Sequence, residues 1–284
     1  MIPHKNFAIE LIRCCLTSLP DGVDIECQNV KYITPITILP ISAIINRKGL
    51  IPVISYGNCS DYLRTIKFPE GVPFDTDEYQ NKTYIPIIHL TVSSSSKLWL
   101  SEQLSQLHEH FLELLRSNII ADPTFIQFVT DTTLGFLVGG TLDNIEEHAN
   151  AKNIYIFAQY WQKNNSCEIC ILDDGDGLFG SLKNAGRDVI DSLDAVNKII
   201  ERGLSAKTGD PDSIRGTGIK NMKDSLINQE IKGEFILISG NAGFYQSSQN
   251  EQLITIRDYF WKGTILAMKI NKPLMVFNMY RYVK

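Results

Sequence analysis

The sequence contains no long apolar run: none of its 284 residues lies in a stretch of the roughly 18 consecutive apolar residues that a membrane-spanning helix needs. The segment from Met1 to Lys5 also lacks the basic segment, apolar run and cleavage site of a signal peptide. We therefore expect a cytoplasmic protein without a membrane partner. With 44% hydrophobic and 21% charged residues, the chain can bury the cores of two modest domains.

Basic clusters are missing as well. The 27 basic and 32 acidic residues give a formal charge of −5 and are spread along the chain, without the Lys/Arg cluster that binding to a phosphate backbone uses. This distribution disfavours nucleic acid as a partner. The six cysteines are unevenly spaced and suggest no disulfide framework. Together with the expected compartment, they are predicted to be reduced thiols.

Cys167 and Cys170 form a C-x-x-C pair, but a second cysteine or histidine pair with metal-binding spacing is missing. Their surroundings, residues 166–172, predict a strand. A strand sends side chains three residues apart to opposite faces. The pattern therefore disfavours both a zinc site and a redox pair.

Residues 1–96 alternate strand-like and helix-like runs and predict a small α/β domain that begins with a β-α-β unit. A polar stretch rich in turn residues interrupts the pattern before its last strand. The predicted strands span 23–27, 50–55 and 84–92, and the predicted helices span 35–45 and 61–67.

Residues 97–123 predict a linking amphipathic helix. Apolar residues recur at spacings of three and four from Leu100 to Leu114, giving one apolar stripe. The stripe fits packing on its own chain and packing on a second subunit equally well, so a homodimer stays open. His108 and His110 invite a phosphoacceptor interpretation, but the two-helix hairpin of a dimeric kinase is missing, and solvated histidines are the simpler explanation.

Residues 124–284 predict a further domain of helices and strands. Its pattern begins with a helix and a β-hairpin and ends in strands. The predicted helices span 124–150, 192–202 and 219–228, and the predicted strands span 153–161, 166–172, 234–239, 252–257 and 263–270.

A first polar motif, Leu142 to Ala149, lies on a predicted helix. Asn144 and His148 are four residues apart and therefore share a face. An amide oxygen and an imidazole one turn apart can hold a hydrated magnesium ion and a phosphate. Alone, this pair is weak evidence of a site.

A second motif, Asp173-Asp174-Gly175-Asp176-Gly177, directly follows a predicted strand. Its alternate glycines let the backbone turn sharply and approach a ligand. A carboxylate at the strand end can accept a hydrogen bond from an exocyclic amine such as that of adenine. A plain acidic turn is the alternative, whereas a calcium loop is disfavoured because the liganding glutamate expected further along is absent.

A third motif, Arg215-Gly216-Thr217-Gly218, opens a predicted helix. Free backbone N–H groups and the positive end of the helix favour an anion such as a nucleotide phosphate. A lone G-x-G is common. The run is not a Walker A sequence, because the G-K-[ST] ending is missing, and it does not follow a Rossmann strand.

In order and spacing, the three motifs resemble the N box, G1 box and G2 box of the GHKL ATPases, whose fold is shared by gyrase, heat-shock chaperones and sensor histidine kinases. Residues 203–207 resemble the mobile lid of that family, and Gly263-Thr264 resembles its final strand. The resemblance covers about residues 124–272. It implies a two-layer α+β sandwich with a mixed sheet and helices on one face.

The resemblance also implies a GHKL ATP-binding domain over 124–284, with ATP and Mg²⁺ as its bound groups. Asn144 would hold magnesium, and Asp173 would accept the adenine amine. The other residues would surround the nucleotide: Gly175 and Gly177 beside the base, Thr264 supporting the adenine contact, and His148, Arg215, Gly216, Thr217 and Gly218 near the phosphates. The run from Asn144 to Ala149 resembles bacterial serine kinases that act as anti-sigma factors.

The sequence departs from the family four residues before Asn144. The family commonly has a glutamate there, which prepares water or an acceptor hydroxyl for attack, whereas this chain has Gly140, after Gly139. Losing a positioned base slows the chemical step roughly 10²- to 10⁴-fold. Glu147 is the candidate substitute. Each glycine also costs the helix about 1 kcal/mol relative to alanine, so either something packs closely there or the pair is a tolerated defect.

The N-terminal domain, residues 1–96, resembles the STAS domains found beside anti-sigma kinases. The likeness rests on the extended run 23–30 and on Tyr32 to Pro35, which head an apolar helix. A generic β-α-β unit has the same pattern.

These patterns lead to three functional hypotheses. The first is an ATP-binding signalling or regulatory protein in which the nucleotide orders the lid, residues 203–218, and so controls contact with a protein partner, with slow or no hydrolysis. The second is an active protein kinase of the anti-sigma or histidine-kinase kind, against which Gly140 counts. The third is an interaction module without nucleotide binding, against which the joint presence of Asn144, Asp173 and the glycine motifs counts.

Overall fold

The computed structural model describes residues 22–25, 33–57, 59–73, 82–92, 101–102, 104–106, 108–109, 133–148, 150–206, 218–257 and 259–273. Six α-helices have both ends within these residues: α1 (Pro35–Lys48), α2 (Ser60–Thr65), α3 (Thr133–His148), α4 (Gly177–Asn184), α5 (Ser192–Arg202) and α6 (Gly218–Leu226). A short 3₁₀ helix spans Gln162–Asn164. The strands are β1 (Gly22–Ile25), β2 (Ile51–Ile54), β3 (Tyr84–Thr91), β4 (Asn153–Trp161), β5 (Ser166–Asp173), β6 (Glu234–Gly240), β7 (Ala242–Ser247), β8 (Glu251–Thr255) and β9 (Trp261–Asn271).

The predicted β-α-β unit is confirmed: β1 and β2 pair in parallel, with α1 between them in the chain. Helix α1 begins at Pro35, since the fixed φ and missing N–H of proline suit the first helical position. Thr37 Oγ1 accepts a hydrogen bond from the backbone N–H of Thr34 at 3.1 Å. The helix ends at Lys48, and the next residue, Gly49, has a φ of 62°, the left-handed conformation that glycine favours.

Seven strands form one sheet in the order β3-β4-β5-β9-β6-β7-β8. Every pairing between these strands is antiparallel, so the prediction of a mixed sheet is wrong for them. Tight connections join β4 to β5, β6 to β7 and β7 to β8, and connections of that length produce antiparallel neighbours. The broader prediction of an α+β architecture is confirmed.

Strand β3 lies in the range 1–96, which the sequence assigns to a separate domain, yet it pairs with β4 of the seven-stranded sheet. Ile88 lies opposite Ile156 in this pairing. Backbone hydrogen bonds and a shared core therefore join the segments before and after residue 96. The division of the chain into domains stays a prediction.

The sheet has two buried faces, because successive side chains of a strand point to opposite sides. In β5, Ile169 and Ile171 belong to one core cluster, whereas Cys170 and Leu172 belong to another. Leu142 of α3 packs in the first cluster and Ile44 of α1 in the second. We refer to these as the α3 face and the α1 face.

Helices therefore cover both faces, whereas the sequence led us to expect helices on one. The reason is that the strands are apolar on both sides. Tyr155 and Phe157 of β4, for example, are buried on the α1 face and need a covering element. Helix α1, from the N-terminal segment, provides that cover.

The two cysteines of β5 lie on opposite faces, as the strand geometry predicts: Cys167 packs on the α3 face and Cys170 on the α1 face. Both are free, and burial raises the pKa of both thiols. Cys59, by contrast, is disulfide-bonded, so the prediction of six reduced thiols is wrong, because pairing depends on tertiary proximity that spacing does not reveal. Disulfides are rare in the cytosol, and the expected cytoplasmic location stays a prediction.

The linking segment is helical in its described part, residues 101–102, 104–106 and 108–109. Leu104 is 3% exposed and belongs to the core cluster of the α3 face. At this position the predicted apolar stripe packs on its own chain. Across the described ranges, no helix is both long enough and apolar enough to cross a membrane.

Candidate functional site

A cavity of about 80 Å³ lies on the α3 face, between the sheet and helices α3 to α6. One water needs about 10–15 Å³ measured in the same way, so the cavity has room for several waters or for part of a larger ligand. Most of its lining is apolar, but Asn144, Asp173 and Thr264 contribute polar groups. Residues 204–206, the start of the predicted lid, complete the wall.

Asp173 is the last residue of β5 and is 2% exposed. It continues the series Ile169, Ile171, Asp173 on the α3 face, and strand alternation therefore aims its side chain at the cavity. Its Oδ1 atom accepts a hydrogen bond from the backbone N–H of Gly175 at 2.8 Å. The backbone N–H of Thr264 also donates to the carboxyl group.

Burial raises the pKa of Asp173 to about 7, and the neighbouring carboxylates of Asp174 and Asp176 add to the rise. The two backbone hydrogen bonds oppose the rise but do not cancel it. The carboxyl group therefore changes charge near neutral pH. A buried carboxylate with this pKa gains from a ligand that donates a hydrogen bond to it.

The two acidic neighbours of Asp173 have structural partners. Asp174 accepts hydrogen bonds from the backbone N–H groups of Lys152 and Asn153, at 2.8 and 2.9 Å. Asp176 is exposed and accepts a hydrogen bond from Asn150 at 2.8 Å. Of the three acids in the second motif, Asp173 is the one that lines the cavity.

The turn after β5 brings Gly177 against the end of β6. Gly177 has a φ of +68°, and a Cβ atom built on it would lie 2.8 Å from Ser239 Oγ and 3.0 Å from the carbonyl oxygen of Gly263. Any larger residue would therefore collide with two neighbours in a backbone conformation that L-residues disfavour. The second motif needs glycine here for close packing of the cavity wall.

A bulge in β9 brings Gly263 against Asp173. The β6–β9 register passes from Ser239 opposite Thr264 to Gly240 opposite Trp261, which leaves Lys262 and Gly263 as extra residues. Gly263 has a φ of +109°, and a Cβ atom on it would lie 2.1 Å from the carbonyl oxygen of Asp173. The predicted Gly263-Thr264 pair thus lies directly beside the predicted Asp173.

The first and third motifs also meet. Gly218 is the first residue of α6, and a Cβ atom on it would lie 3.9 Å from the side-chain amide nitrogen of Asn144. The N-terminus of a helix attracts anions through its free N–H groups and its dipole. Asn144 therefore lies on the cavity wall beside a feature suited to phosphate, and its amide oxygen is an oxygen ligand of the kind that magnesium uses.

Five of the predicted site residues fall outside what the structure describes. Arg215, Gly216 and Thr217 lie outside the described residues, and so do the side chains of Glu147 and His148. Their roles stay predictions. Within the described ranges, no three His, Cys, Asp or Glu side chains cluster in a way that could hold a metal ion.

The two glycines of α3 are closely packed, as one of the two alternatives from the sequence predicts. A Cβ atom on Gly139 would lie 3.1 Å from Cε1 of His108, and one on Gly140 would lie 3.2 Å from Cε of Met222. The ring of His108, from the linking segment, thus fits against α3 where a side chain is missing. Met222 of α6 fits beside it.

Ser239 is a residue that sequence reasoning missed. Its hydroxyl contacts a residue that lines the cavity: it accepts a hydrogen bond from the backbone N–H of Leu178 at 2.9 Å. The sequence signal is slight: a serine ending the apolar run 235–238.

No family model matches this chain, and neither does any curated protein.

Proposed function

We propose that the cavity binds an adenine nucleotide together with magnesium, and that the protein is regulatory, with slow or no hydrolysis. The observation that carries the proposal is that Asp173 and Asn144, predicted for opposite ends of one nucleotide, line the same cavity. Asp173 would accept a hydrogen bond from the base amine. Asn144 and the N-terminus of α6 would face the phosphates.

The start of the lid supports a regulatory role. Leu204 and Ala206 pack with the helix residues Leu182 and Ile199, and Arg187 Nε donates a hydrogen bond to the carbonyl oxygen of Ser205 at 2.9 Å. These lid residues also line the cavity. A nucleotide in the cavity would contact them directly, and through them would alter the surface that the lid offers to a protein partner.

Calorimetric titration with ATP and a non-hydrolysable analogue, with and without magnesium, tests the proposal. We expect magnesium-dependent binding, and we expect Asp173→Asn to weaken it by about 10- to 150-fold, since hydrogen bonds to charged groups contribute about 1.5–3 kcal/mol. Asp176→Asn is the matched control, because it removes the same charge from an exposed position in the same turn. Absence of wild-type binding at millimolar ATP would refute the proposal.

A second experiment tests why turnover would be slow. Gly140→Glu places a carboxylate four residues before Asn144, and the residue that its Cβ meets is the flexible end of Met222. If a missing base limits hydrolysis, phosphate release should rise by up to about 10²- to 10⁴-fold. Gly140→Gln, which has the same shape but no base, should leave the rate at the wild-type level. Equal rates in both variants would show that something other than the base is limiting.

A further inference from the structure

Ser239 connects two walls of the cavity through one hydroxyl group. It is 2% exposed and lies at the end of β6, on the same face as Leu237, which lines the cavity. Its Oγ atom accepts the hydrogen bond from Leu178 N–H at 2.9 Å and donates one to the carbonyl oxygen of Gly263, also at 2.9 Å. The hydroxyl therefore acts as donor and acceptor at once.

The two groups that Ser239 joins lie where regular helix and strand hydrogen bonding is interrupted. The N–H of Leu178 is in the first turn of α4, where helix N–H groups lack an acceptor within the helix. The carbonyl of Gly263 lies in the bulge of β9, where the regular ladder between strands is interrupted. Ser239 thus links the first turn of α4 to the bulge of β9.

Asp173 lies between these two walls and receives one donor from each. Gly175 N–H comes from the turn before α4, and Thr264 N–H comes from β9. The direction of the Asp173 carboxyl group therefore depends on the separation of the walls. Gly177 lies close to both Ser239 and Gly263, so these groups have little room to move relative to one another.

We infer that Ser239 is a positioning residue for base recognition: its hydroxyl fixes the walls that orient Asp173 toward an amine-bearing purine. This inference rests on the proposed function. Ser239 does not touch the base itself in this account. Its loss would reduce the discrimination between a purine with an exocyclic amine at the Asp173 position and one with a carbonyl there, because a misdirected carboxylate no longer favours the donor.

The test compares ATP and GTP affinities of the wild type with those of Ser239→Ala, Ser239→Thr and Ser42→Ala. We expect Ser239→Ala to bind ATP about tenfold more weakly than the wild type. The ratio of ATP affinity to GTP affinity should fall by a similar factor. Ser239→Thr keeps the hydroxyl and should restore both. Ser42 is also a buried serine whose hydroxyl donates to a backbone carbonyl, that of Pro69, so its removal should leave both affinities unchanged.

Amide hydrogen exchange of Leu178 in the ligand-free protein is the second readout. We expect faster exchange at Leu178 in Ser239→Ala and near wild-type exchange in Ser239→Thr. If Ser239→Ala does not fold, Ser239→Cys takes its place, because a thiol occupies the same position but is a weak hydrogen-bonding group.

The outcomes separate the inference from the proposed function. If the wild type does not bind ATP, the proposed function fails, and this role of Ser239 fails with it. If the wild type binds ATP but Ser239→Ala keeps the ATP-to-GTP ratio, the inference alone is overturned. Unchanged exchange at Leu178 would likewise overturn it, because the bridge would then not hold that wall.

Discussion

The two faces of the central sheet are built from the same strands but finish differently. On the α1 face, side chains such as Phe157 and Trp261 are fully or almost fully buried in a continuous apolar core. On the α3 face, the apolar series of β5 ends in Asp173, and a cavity replaces further packing. The same strand therefore contributes to closed core on one face and to the candidate site on the other.

The largest expected effect distinguishes two glycines with positive φ. Gly263→Ala places a Cβ atom 2.1 Å from the carbonyl oxygen of Asp173, and strain plus overpacking should lower the free energy of unfolding by about 5 kcal/mol. Gly49→Ala, beside α1, meets nothing within 4 Å and should cost about 1–2 kcal/mol. Urea denaturation measures both. Equal losses would show that backbone strain, not crowding at the site, sets the cost.

The next effect is a pH dependence of the free energy of unfolding that arises from Asp173, on the α3 face. The pKa of Asp173 is raised from 3.8 to about 7, so between these values the folded state binds more protons than the unfolded chain. The free energy of unfolding should therefore fall as the pH rises through this window. At about 1.36 kcal/mol per pKa unit, the fall reaches up to about 4 kcal/mol.

Asp173→Asn should remove this contribution and make the protein more stable than the wild type at pH 8. Denaturation of both proteins from pH 4 to pH 8 measures the difference. Other titrating groups are common to both proteins and cancel. The variant that weakens nucleotide binding is thus expected to gain stability, and a variant with an unchanged pH profile would contradict the assignment of a buried, proton-linked carboxyl group.

A smaller effect compares adjacent residues of β5. Leu172 and Ile171 are each 1% exposed, but Leu172 packs on the α1 face and Ile171 lines the cavity. Replacing either with alanine should lower the free energy of unfolding by about 3 kcal/mol. Only Ile171→Ala should also change ATP affinity in a calorimetric titration. A change of affinity in Leu172→Ala would mean that the two faces are coupled.

Local signals in the sequence predicted several elements well. Helix α5 was predicted to begin after Asp191 and to end at Arg202, and it does: the Asp191 side chain caps Asp194 N–H at 2.8 Å, and Gly203 follows with a φ of 66°. Strand β4 has the predicted bounds. Such elements depend on helix-capping residues and on the alternation of side chains along a strand, and both signals come from residues close together in the sequence.

The sequence did not predict two elements, because their local signals are weak. Helix α4, Gly177–Asn184, contains two glycines and follows an acidic turn, so its residues resemble a loop. Strand β7, Ala242–Ser247, is short and carries Gly243 and polar residues. Both are stabilised by packing on the sheet, and tertiary packing overrides weak local preference.

For the candidate site, the sequence predicted residues whose position follows from one strand or turn, such as Asp173 and Gly177. It did not predict Ser239, because the position of that hydroxyl follows from the pairing of β6 with β9, and this pairing joins distant segments. It also placed the sheet within residues 124–284. The pairing of β3 with β4 is non-local in the same way.

The position of β3 at one end of the sheet order has a consequence for any shortened form of the protein. A fragment beginning at Thr124 would lack β3 and α1 together. The backbone N–H and C=O groups of β4 that now pair with β3 would become a bare edge, beside an uncovered apolar surface around Phe157. Such edges recruit strands from other molecules, so we expect a fragment without the segment before residue 96 to aggregate more readily than the whole chain.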